Sequence, residues 1–211
     1  MTSADTILFH GWYINTTWGQ LTQDERDHNG MRLAQLLYNY DWTEEAIAGI
    51  LGNVEPESGL SPATAEGNHY PNDFPTNADV LADTSWFGGL GFVQWTPGRT
   101  ELVQWADDEG LIWYDGTTQA KRFKYEYDNN LEWPYWQWYA HITSPADDCA
   151  EFFCRRYCRP ADPEATVGYR RAAGLEWYDK IHGKLHKPIQ RILFTKKNRE
   201  RKELKRRCLR M

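Results

Sequence analysis

Residues 43–59 read TEEAIAGILGNVEPESG and predict the helix on which the fold depends. Thr43 can cap the first turn, and the two glutamates that follow it complement the positive end of the helix dipole. Pro56 lacks a backbone donor and disfavours helical geometry in the residue before it. The helix should therefore end close to Pro56, with Glu57 on its last turn or just beyond it. Its apolar residues share one face, as expected for packing into a core; they are Ala46, Ile47, Ile50, Leu51 and Val54.

Helical patterns also occur on both sides of this stretch. The spacing of apolar residues and the capping signals predict helices over residues 24–40, 97–108, 119–129, 144–157 and 164–181. Residues 58–92 are rich in Gly, Pro, Asn, Asp and Ser, which indicates loops and a short hairpin. An irregular segment of this length is uncommon in a compact domain unless it builds a functional site. The predicted fold is mainly α-helical, with a groove formed by loops or a short hairpin.

The charge of the chain is unevenly distributed. The net charge is −6 over 211 residues, but Lys184–Met211 contain 12 basic and 2 acidic residues. The acidic remainder is a poor match for nucleic acid, since phosphate contacts require a basic face. Residues 1–21 show no sustained period and are predicted to be an N-terminal arm. The predicted organisation is therefore an arm (1–21), a helical domain (22–183) and a basic C-terminal segment (184–211), hereafter the basic segment.

The sequence disfavours several other classes of protein. It contains no run of about 18 apolar residues, so no transmembrane segment is predicted. The N-terminus has no basic region followed by an apolar one, so no signal peptide is expected. The histidines form no metal-ligand motif, and no metal or organic cofactor is predicted. Cys149, Cys154 and Cys158 fall on one predicted helix, where cysteines usually behave as small buried apolar residues, so a Cys–His amidase or a zinc site is disfavoured.

One carboxyl group stands out at the edge of the loop-rich segment. Glu57 would lie at a helix end near several aromatic residues, and an acid in an apolar environment stays protonated near neutral pH. General acid catalysis of glycosidic cleavage needs such a group. Glutamates at helix ends are nevertheless usually only solvated charges. The aromatic residues of the loops suit the apolar faces of sugar rings; they are Tyr70, Trp86, Phe87, Phe92 and Trp95.

Two segments taken together resemble a known family. Trp42–Pro62 contains Gly-Asn-Val-Glu-Pro-Glu-Ser-Gly, and Gly89–Arg99 contains Gly-Phe-Val-Gln-Trp. This pattern resembles the phage tail lysozyme family, and the similarity covers residues 39–181. The resemblance implies a mainly α, α+β lysozyme-like domain that cleaves peptidoglycan and is carried on a bacteriophage tail. The further similar residues are 119–126, 150–160, Arg170, Arg171, Trp177 and Tyr178.

The resemblance also implies the roles of particular residues. Glu57 matches the catalytic acid, because the Glu-Ser pair marks the wider lysozyme and lytic transglycosylase superfamily, whereas the competing carboxylate, Glu55, has no role in the pattern. Gln94 matches the glutamine that lies in the sugar groove and orients the substrate. The other candidate substrate-binding residues are Ser58, Gly91 and Trp95.

The second catalytic group is left open by the sequence. A hydrolase needs a second carboxylate as base or nucleophile, at a distance that depends on its stereochemistry. A lytic transglycosylase needs none, because a hydroxyl of the substrate attacks while Glu57 acts first as acid and then as base. The candidates in the loop-rich segment are Glu66, Asp73, Asp79 and Asp83.

The function implied by the resemblance is hydrolysis of the β-1,4 glycan backbone of peptidoglycan, a muramidase activity that opens the host wall as the phage genome is delivered. The protein would be made in the host cytoplasm, carried in the virion and active in the host cell wall or periplasm. The alternatives are a lytic transglycosylase of the same fold and a non-enzymatic tail protein. The basic segment is expected to bind other virion proteins, with nucleic acid as the less favoured partner.

Overall fold

The computed structural model describes residues 6–70, 74–131 and 133–187, and these are mainly helical. The prediction of a mainly α fold is confirmed. A two-stranded hairpin precedes the helices, with β1 at Ile7–Phe9 and β2 at Trp12–Ile14. The helices in the described residues are α1 Gln23–Tyr38, α2 Glu44–Ser58, α3 Asn77–Ala82, α4 Trp105–Asp108, α5 Gly116–Asn129, α6 Trp136–Tyr139, α7 Ala146–Phe153 and α8 Pro163–Ile181.

Helix α2 is the central element, and most of its side chains are buried. The Thr43 side chain accepts a hydrogen bond from the Ala46 amide and caps the N-terminus, as predicted. The helix continues through Pro56 and ends at Ser58, where Gly59 adopts a left-handed conformation and donates to the carbonyl of Glu55. Glu57 therefore lies on the last turn.

Helix α2 packs mainly against α7 and α8, and small residues let the backbones approach closely. A Cβ atom on Gly52 would lie 2.7 Å from the backbone nitrogen of Gly174, so no larger side chain fits between α2 and α8. Asn53 is buried at the same crossing, and its Nδ2 donates to the carbonyl of Ala150 on α7 at 3.0 Å. The contacts with α7 and α8 thus fix the position of the C-terminal part of α2.

The N-terminal hairpin is part of the core. Ile7 pairs with Ile14 across the hairpin, and both Trp12 and Ile14 are fully buried. The Trp12 indole donates to the Thr117 hydroxyl at 3.0 Å, which attaches the hairpin to α5. The prediction of an arm over residues 1–21 is therefore wrong for the described residues of that range. Strands of three residues are too short for a visible alternation, and the burial of Trp12 depends on residues far away in the chain.

Some predicted helices differ in detail from the structure. The predicted helix over residues 97–108 begins as a π-helical segment, Arg99–Gln104, before α4. The predicted helix over residues 144–157 is α-helical only to Phe153 and continues as a second π-helical segment, Cys154–Cys158. Helices α3 and α6 were not predicted, because elements of six and four residues are too short to show a helical period. None of the helices in the described residues is long and apolar enough to cross a membrane.

The helical domain extends slightly past its predicted boundary at Gly183. Leu185 is buried in the core, and Lys187 donates to the Tyr38 carbonyl and pairs with Asp41 at the end of α1. The rest of the predicted basic segment, residues 188–211, lies outside the described residues.

Candidate active site

A cleft of about 600 Å³ opens at the C-terminal end of α2. One group of lining residues, hereafter the helical wall, consists of Glu57 from α2, Cys158 from the second π-helical segment and Arg170 from α8. A second group, hereafter the loop wall, consists of residues 64–68 together with Val93, Gln94 and Thr96. The remaining lining residues are Trp18, Pro160 and Ala161. The cleft therefore lies between a packed helical layer and the loop-rich segment, as the composition of residues 58–92 suggested.

Glu57 is held by an ion pair on the helical wall. Its Oε1 accepts from Nη2 of Arg170 at 2.7 Å, and its side chain is 20% exposed. Arg170 is only 4% exposed, and its Nη1 donates to Oδ1 of the buried Asn53 at 2.9 Å. Glu57 therefore pairs with a cation that the prediction of apolar and aromatic surroundings did not include. This guanidinium comes from α8, 113 residues along the chain.

The loop wall is built around a tight turn. Leu90 and Trp95 exchange backbone hydrogen bonds at 3.1 and 3.0 Å, which closes a short hairpin-like loop. Gly91 has φ of +76°, and a Cβ atom there would lie 2.6 Å from Oε1 of Gln119. The amide of Gly91 donates to the Thr64 carbonyl at 2.9 Å, which joins the turn to the neighbouring loop. Gly91 is therefore needed for the backbone geometry of the turn, and it is not among the residues that line the cleft.

Gln94 lies on the cleft in an uncommon backbone conformation, with φ of +54°. Its Nε2 donates to the carbonyl of Gly91 at 2.8 Å and to the carbonyl of Thr64 at 3.2 Å. Because both partners are acceptors, the side-chain nitrogen must face them, which leaves Oε1 to accept a hydrogen bond from a ligand. The structure thus places the two principal predicted residues, Glu57 and Gln94, in the lining of the same cleft.

Ser58 and Trp95 have structural contacts instead. The Ser58 hydroxyl is buried and donates to the Val54 carbonyl at 3.0 Å within α2. Trp95 is also buried and packs on Phe123, with its indole nitrogen donating to Oε1 of Glu126 at 2.8 Å. Trp95 does not line the cleft but a smaller cavity of about 120 Å³, which shares Gln94 and Cys158 with it. Neither residue offers a free polar group to the wide part of the cleft.

The candidates for the second catalytic carboxylate differ in where they lie relative to the cleft. Glu66 lies on the loop wall, and its Oε2 accepts from the Gly89 amide at 2.8 Å. Asp79 caps α3 through Thr76, a hydrogen bond that lowers the pKa of Asp79. Asp83 accepts from His69 at 2.7 Å, which lowers its pKa, and neither aspartate lines the cleft. Asp73 lies outside the described residues. Among the three candidates that the structure describes, Glu66 is the one that shares the cleft with Glu57.

The thiols near the cleft are poorly suited to nucleophilic catalysis. Burial raises the pKa of Cys149 to about 12. Burial, reinforced by the negative charge of Glu57, also raises the pKa of Cys158 well above its ordinary value. A thiol needs a lowered pKa to act as a nucleophile at neutral pH. No group of three or more His, Cys, Asp or Glu side chains within the described part of the chain is arranged to hold a metal ion.

Beneath the loop wall lies a fully buried carboxyl group, Glu126 of α5. It accepts from the Trp95 indole, from Nε of Arg122 at 3.0 Å and from the Tyr157 hydroxyl at 2.8 Å. Burial raises the pKa of Glu126 to about 7, although these three donors lower it. A carboxyl of this kind was expected at Glu57, but Glu126 does not reach the cleft. It connects the turn at Trp95 to the helical core.

Arg170 and Trp18 are among the lining residues that sequence reasoning did not assign to the site. Arg170 was part of the family resemblance without a role of its own, and its pairing with Glu57 could not be seen from positions so far apart. Trp18 was placed in the predicted arm, which concealed its position on the cleft.

The fold and the cleft define a class of protein. A mainly helical core, with a glutamate on the last turn of its central helix and a glutamine from a loop lining the same cleft, is consistent with a lysozyme-like domain. A sequence model of the phage tail lysozyme family matches residues 28–181 of this chain, and the chain belongs to that family. It is a lysozyme-like phage protein.

A curated relative supports the association with phages. Morphogenesis protein 1 of Bacillus phage B103 is 33% identical over 170 residues, which cover 76% of this chain and 42% of that protein. The chain therefore spans less than half the length of this relative.

Proposed function

We propose that this protein is a muramidase that hydrolyses the β-1,4 glycan strands of peptidoglycan for a phage tail. The observation that supports the proposal is that Glu57 and Gln94 line the same cleft. The family match supports the same activity. In this proposal the enzyme is carried in the virion and opens the host wall as the genome is delivered.

In the proposed reaction, Glu57 gives a proton to the glycosidic oxygen of the leaving sugar. The carboxylate that results is stabilised by the Arg170 guanidinium, which lies 2.7 Å from Oε1 and is fixed in turn by Asn53. Oε1 of Gln94 accepts a hydrogen bond from the sugar and orients it. The three groups thus have separate roles, in which Glu57 supplies the proton, Arg170 stabilises the charge and Gln94 positions the substrate.

The second step distinguishes a hydrolase from a lytic transglycosylase. In the hydrolase, Glu66 activates a water molecule for attack at the anomeric carbon, which is consistent with its place on the loop wall. In a transglycosylase a hydroxyl of the substrate attacks, and the product carries an anhydro end. Mass spectrometry of digested sacculi is expected to show reducing ends, and exclusively anhydro ends would contradict hydrolysis.

The acid is tested by Glu57→Gln, which keeps the shape of the side chain but cannot supply the proton. The release of reducing ends from purified sacculi should fall by about 100-fold or more. Glu55→Gln is the matched control, because Glu55 lies on the same turn but accepts from the Trp177 indole and does not line the cleft. A Glu57→Gln variant with wild-type activity would refute the assignment of the acid.

A non-enzymatic role is the second candidate, and it rests on the name of the relative from phage B103, Morphogenesis protein 1. If wild-type protein of native stability releases no product from sacculi of the authentic host, the structural role replaces the enzymatic one.

We also propose that the basic segment attaches the domain to other virion proteins. Deletion of residues 188–211 should leave glycan cleavage intact, since Leu185 and Lys187 keep their contacts with the domain. Incorporation into particles should fall. If nucleic acid is the partner instead, raising the salt from about 50 to 200 mM should release it strongly.

A further inference from the structure

Trp18 lies on the cleft but has no role in the chemistry proposed above. Its side chain is 54% exposed, and it is the aromatic residue among the described residues that line the wide cleft. Exposure of a single apolar side chain is common and carries no information by itself. The informative feature of Trp18 is how firmly the structure holds it in this exposed position.

The Trp18 side chain is anchored at its polar edge. The indole Nε1 donates to the Pro56 carbonyl at 3.1 Å, and Pro56 directly precedes Glu57 on α2. The backbone amide of Trp18 donates to Oδ1 of Asn68 on the loop wall at 3.3 Å. The ring is therefore fixed relative to both walls of the cleft.

The segment that precedes Trp18 is bonded to the loop that follows α2. The Asn15 amide donates to the Ser61 hydroxyl at 2.9 Å, and this hydroxyl donates to the Asn15 carbonyl at 2.6 Å. The Thr16 carbonyl accepts from the Ala65 amide at 3.3 Å. These bonds order the backbone before any ligand binds, so that little conformational entropy remains to be lost on binding.

The next residue, Gly19, packs on the end of α2. A Cβ atom on Gly59, the residue that caps α2, would lie 3.3 Å from the backbone nitrogen of Gly19. The position of Trp18 is thus tied to the same helix end that presents Glu57.

The other aromatic residues of the loops have different surroundings. Phe92 and Trp95 are buried in the core. The Trp86 ring stacks on His69 with the ring centroids 4.6 Å apart, and the Phe87 ring lies beside the Arg99 guanidinium. Tyr70 packs edge-on against Trp86, and none of these five residues lines the wide cleft. The aromatic surface available to a ligand beside Glu57 therefore belongs to Trp18.

We infer that Trp18 is the stacking platform of a sugar subsite next to the acid, an inference that rests on the proposed glycan cleavage. The apolar C–H face of a pyranose ring covers the indole, while the hydroxyl rim meets polar lining residues such as Glu66 and Asn68. The ligand class is a peptidoglycan glycan strand. This subsite is supplied by a residue outside the family match, which begins at residue 28.

The test measures binding separately from cleavage. Calorimetry on the Glu57→Gln protein would use a peptide-free hexasaccharide of alternating N-acetylglucosamine and N-acetylmuramic acid. Adding Trp18→Ala should weaken binding about 10-fold, equivalent to about 1.4 kcal/mol. Trp18→Phe keeps an aromatic face and should lose about threefold or less. In the wild-type background, Trp18→Ala should raise KM about 10-fold with little change in kcat, as expected for lost uniform binding.

Trp138 provides the matched control, because it is 52% exposed, lies on α6 and does not line the cleft. Trp138→Ala should leave hexasaccharide affinity and KM unchanged. The inference is overturned if Trp18→Ala binds the hexasaccharide as tightly as its parent, or if it lowers only the melting temperature. It is also overturned if the parent protein does not bind the hexasaccharide.

The outcomes separate the subsite from the proposed activity. Trp18-dependent binding without cleavage by the wild-type protein would refute the muramidase and leave the subsite in place. Cleavage that depends on Glu57 but is unchanged by Trp18→Ala would refute the subsite alone.

Discussion

The two walls of the cleft are held in place by different forces. The helical wall rests on the close packing of α2, α7 and α8 and on the ion pair of the buried Arg170 with Glu57. The loop wall consists of turns joined by hydrogen bonds, and α5 supports it through two buried side chains, Gln119 and Glu126. The proposed acid is thus held by helix packing and an ion pair, whereas Glu66 and Gln94 on the loop wall are held by hydrogen bonds to backbone groups.

The largest expected loss of stability comes from a substitution in the helical wall. Arg170→Met should lower the free energy of unfolding by about 3 to 5 kcal/mol, because it leaves Glu57 and Asn53 without their buried partner. Chemical denaturation monitored by tryptophan fluorescence measures this loss.

Arg171 is the control on the same helix. Its side chain is 34% exposed and pairs with surface carboxylates, Asp147 and Glu151. Arg171→Met should cost only about 0 to 1 kcal/mol. Equal losses in the free energy of unfolding for Arg170→Met and Arg171→Met would contradict the expectation that the buried arginine contributes more to stability than the exposed one.

The pH dependence of stability tests the support of the loop wall. The pKa of Glu126 is about 7 in the folded protein against an ordinary value of 4.5, so the folded state binds this proton more tightly. Its contribution to stability is fully present below about pH 4.5 and is lost as the pH rises through about 7. The loss should approach about 3 kcal/mol.

Glu126→Gln should flatten this part of the stability curve, measured as the free energy of unfolding at pH 4.5 and 7.5. Glu164→Gln is the control, because hydrogen bonding to Arg155 lowers the pKa of Glu164 and moves its titration to a more acidic range. An unchanged slope in the Glu126→Gln protein would contradict the assignment.

A smaller loss of stability is expected when Gln119 is replaced. Its Oε1 accepts from the Phe92 amide at 2.8 Å, and its Nε2 donates to the carbonyls of Pro62 and Trp113 at 2.6 and 2.9 Å. Gln119→Leu leaves these buried groups unpaired and should lower the free energy of unfolding by about 2 kcal/mol.

Hydrogen exchange locates this damage. Exchange of the Phe92 amide should accelerate in Gln119→Leu beyond the change seen for amides of α2. Gln104→Leu, which removes only an exposed hydrogen bond to Asp108, should alter neither stability nor exchange at Phe92.

The smallest effect on stability is expected when Gln94 is replaced. Gln94→Ala keeps the backbone conformation but removes the side chain from the cleft, so kcat/KM on sacculi should fall about 10-fold, or about 1.4 kcal/mol. Stability should change by less than about 1 kcal/mol. Gln137→Ala, at an exposed position bonded to the Tyr127 carbonyl, should leave kcat/KM unchanged. A loss of stability as large as that of Gln119→Leu would assign Gln94 a structural role.

The helices were predictable where local signals were strong. Thr43 and Pro163 mark the starts of α2 and α8 by capping chemistry that acts within a few residues. The continuation of α2 beyond Pro56 depends on packing against α7 and α8, which local sequence does not encode.

The candidate site was predictable only through the family resemblance. Motifs near Glu57 and Gln94 identified both positions, and the structure brings them to one cleft. The partner of Glu57 is 113 residues away, and Ser58 and Trp95 occur within motifs but pack in the core. Spacing along a chain cannot separate a side chain that faces the cleft from a neighbour that faces inward.

The hairpin of β1 and β2 has a consequence for how this family is delimited. The recognisable sequence begins at residue 28, but Trp12 fills the core and bonds to α5. The region that can be recognised by sequence is therefore smaller than the unit that folds cooperatively. A domain trimmed at the homology boundary is expected to expose the core surface that Trp12 covers and to aggregate, even though it retains Glu57, Gln94 and Arg170.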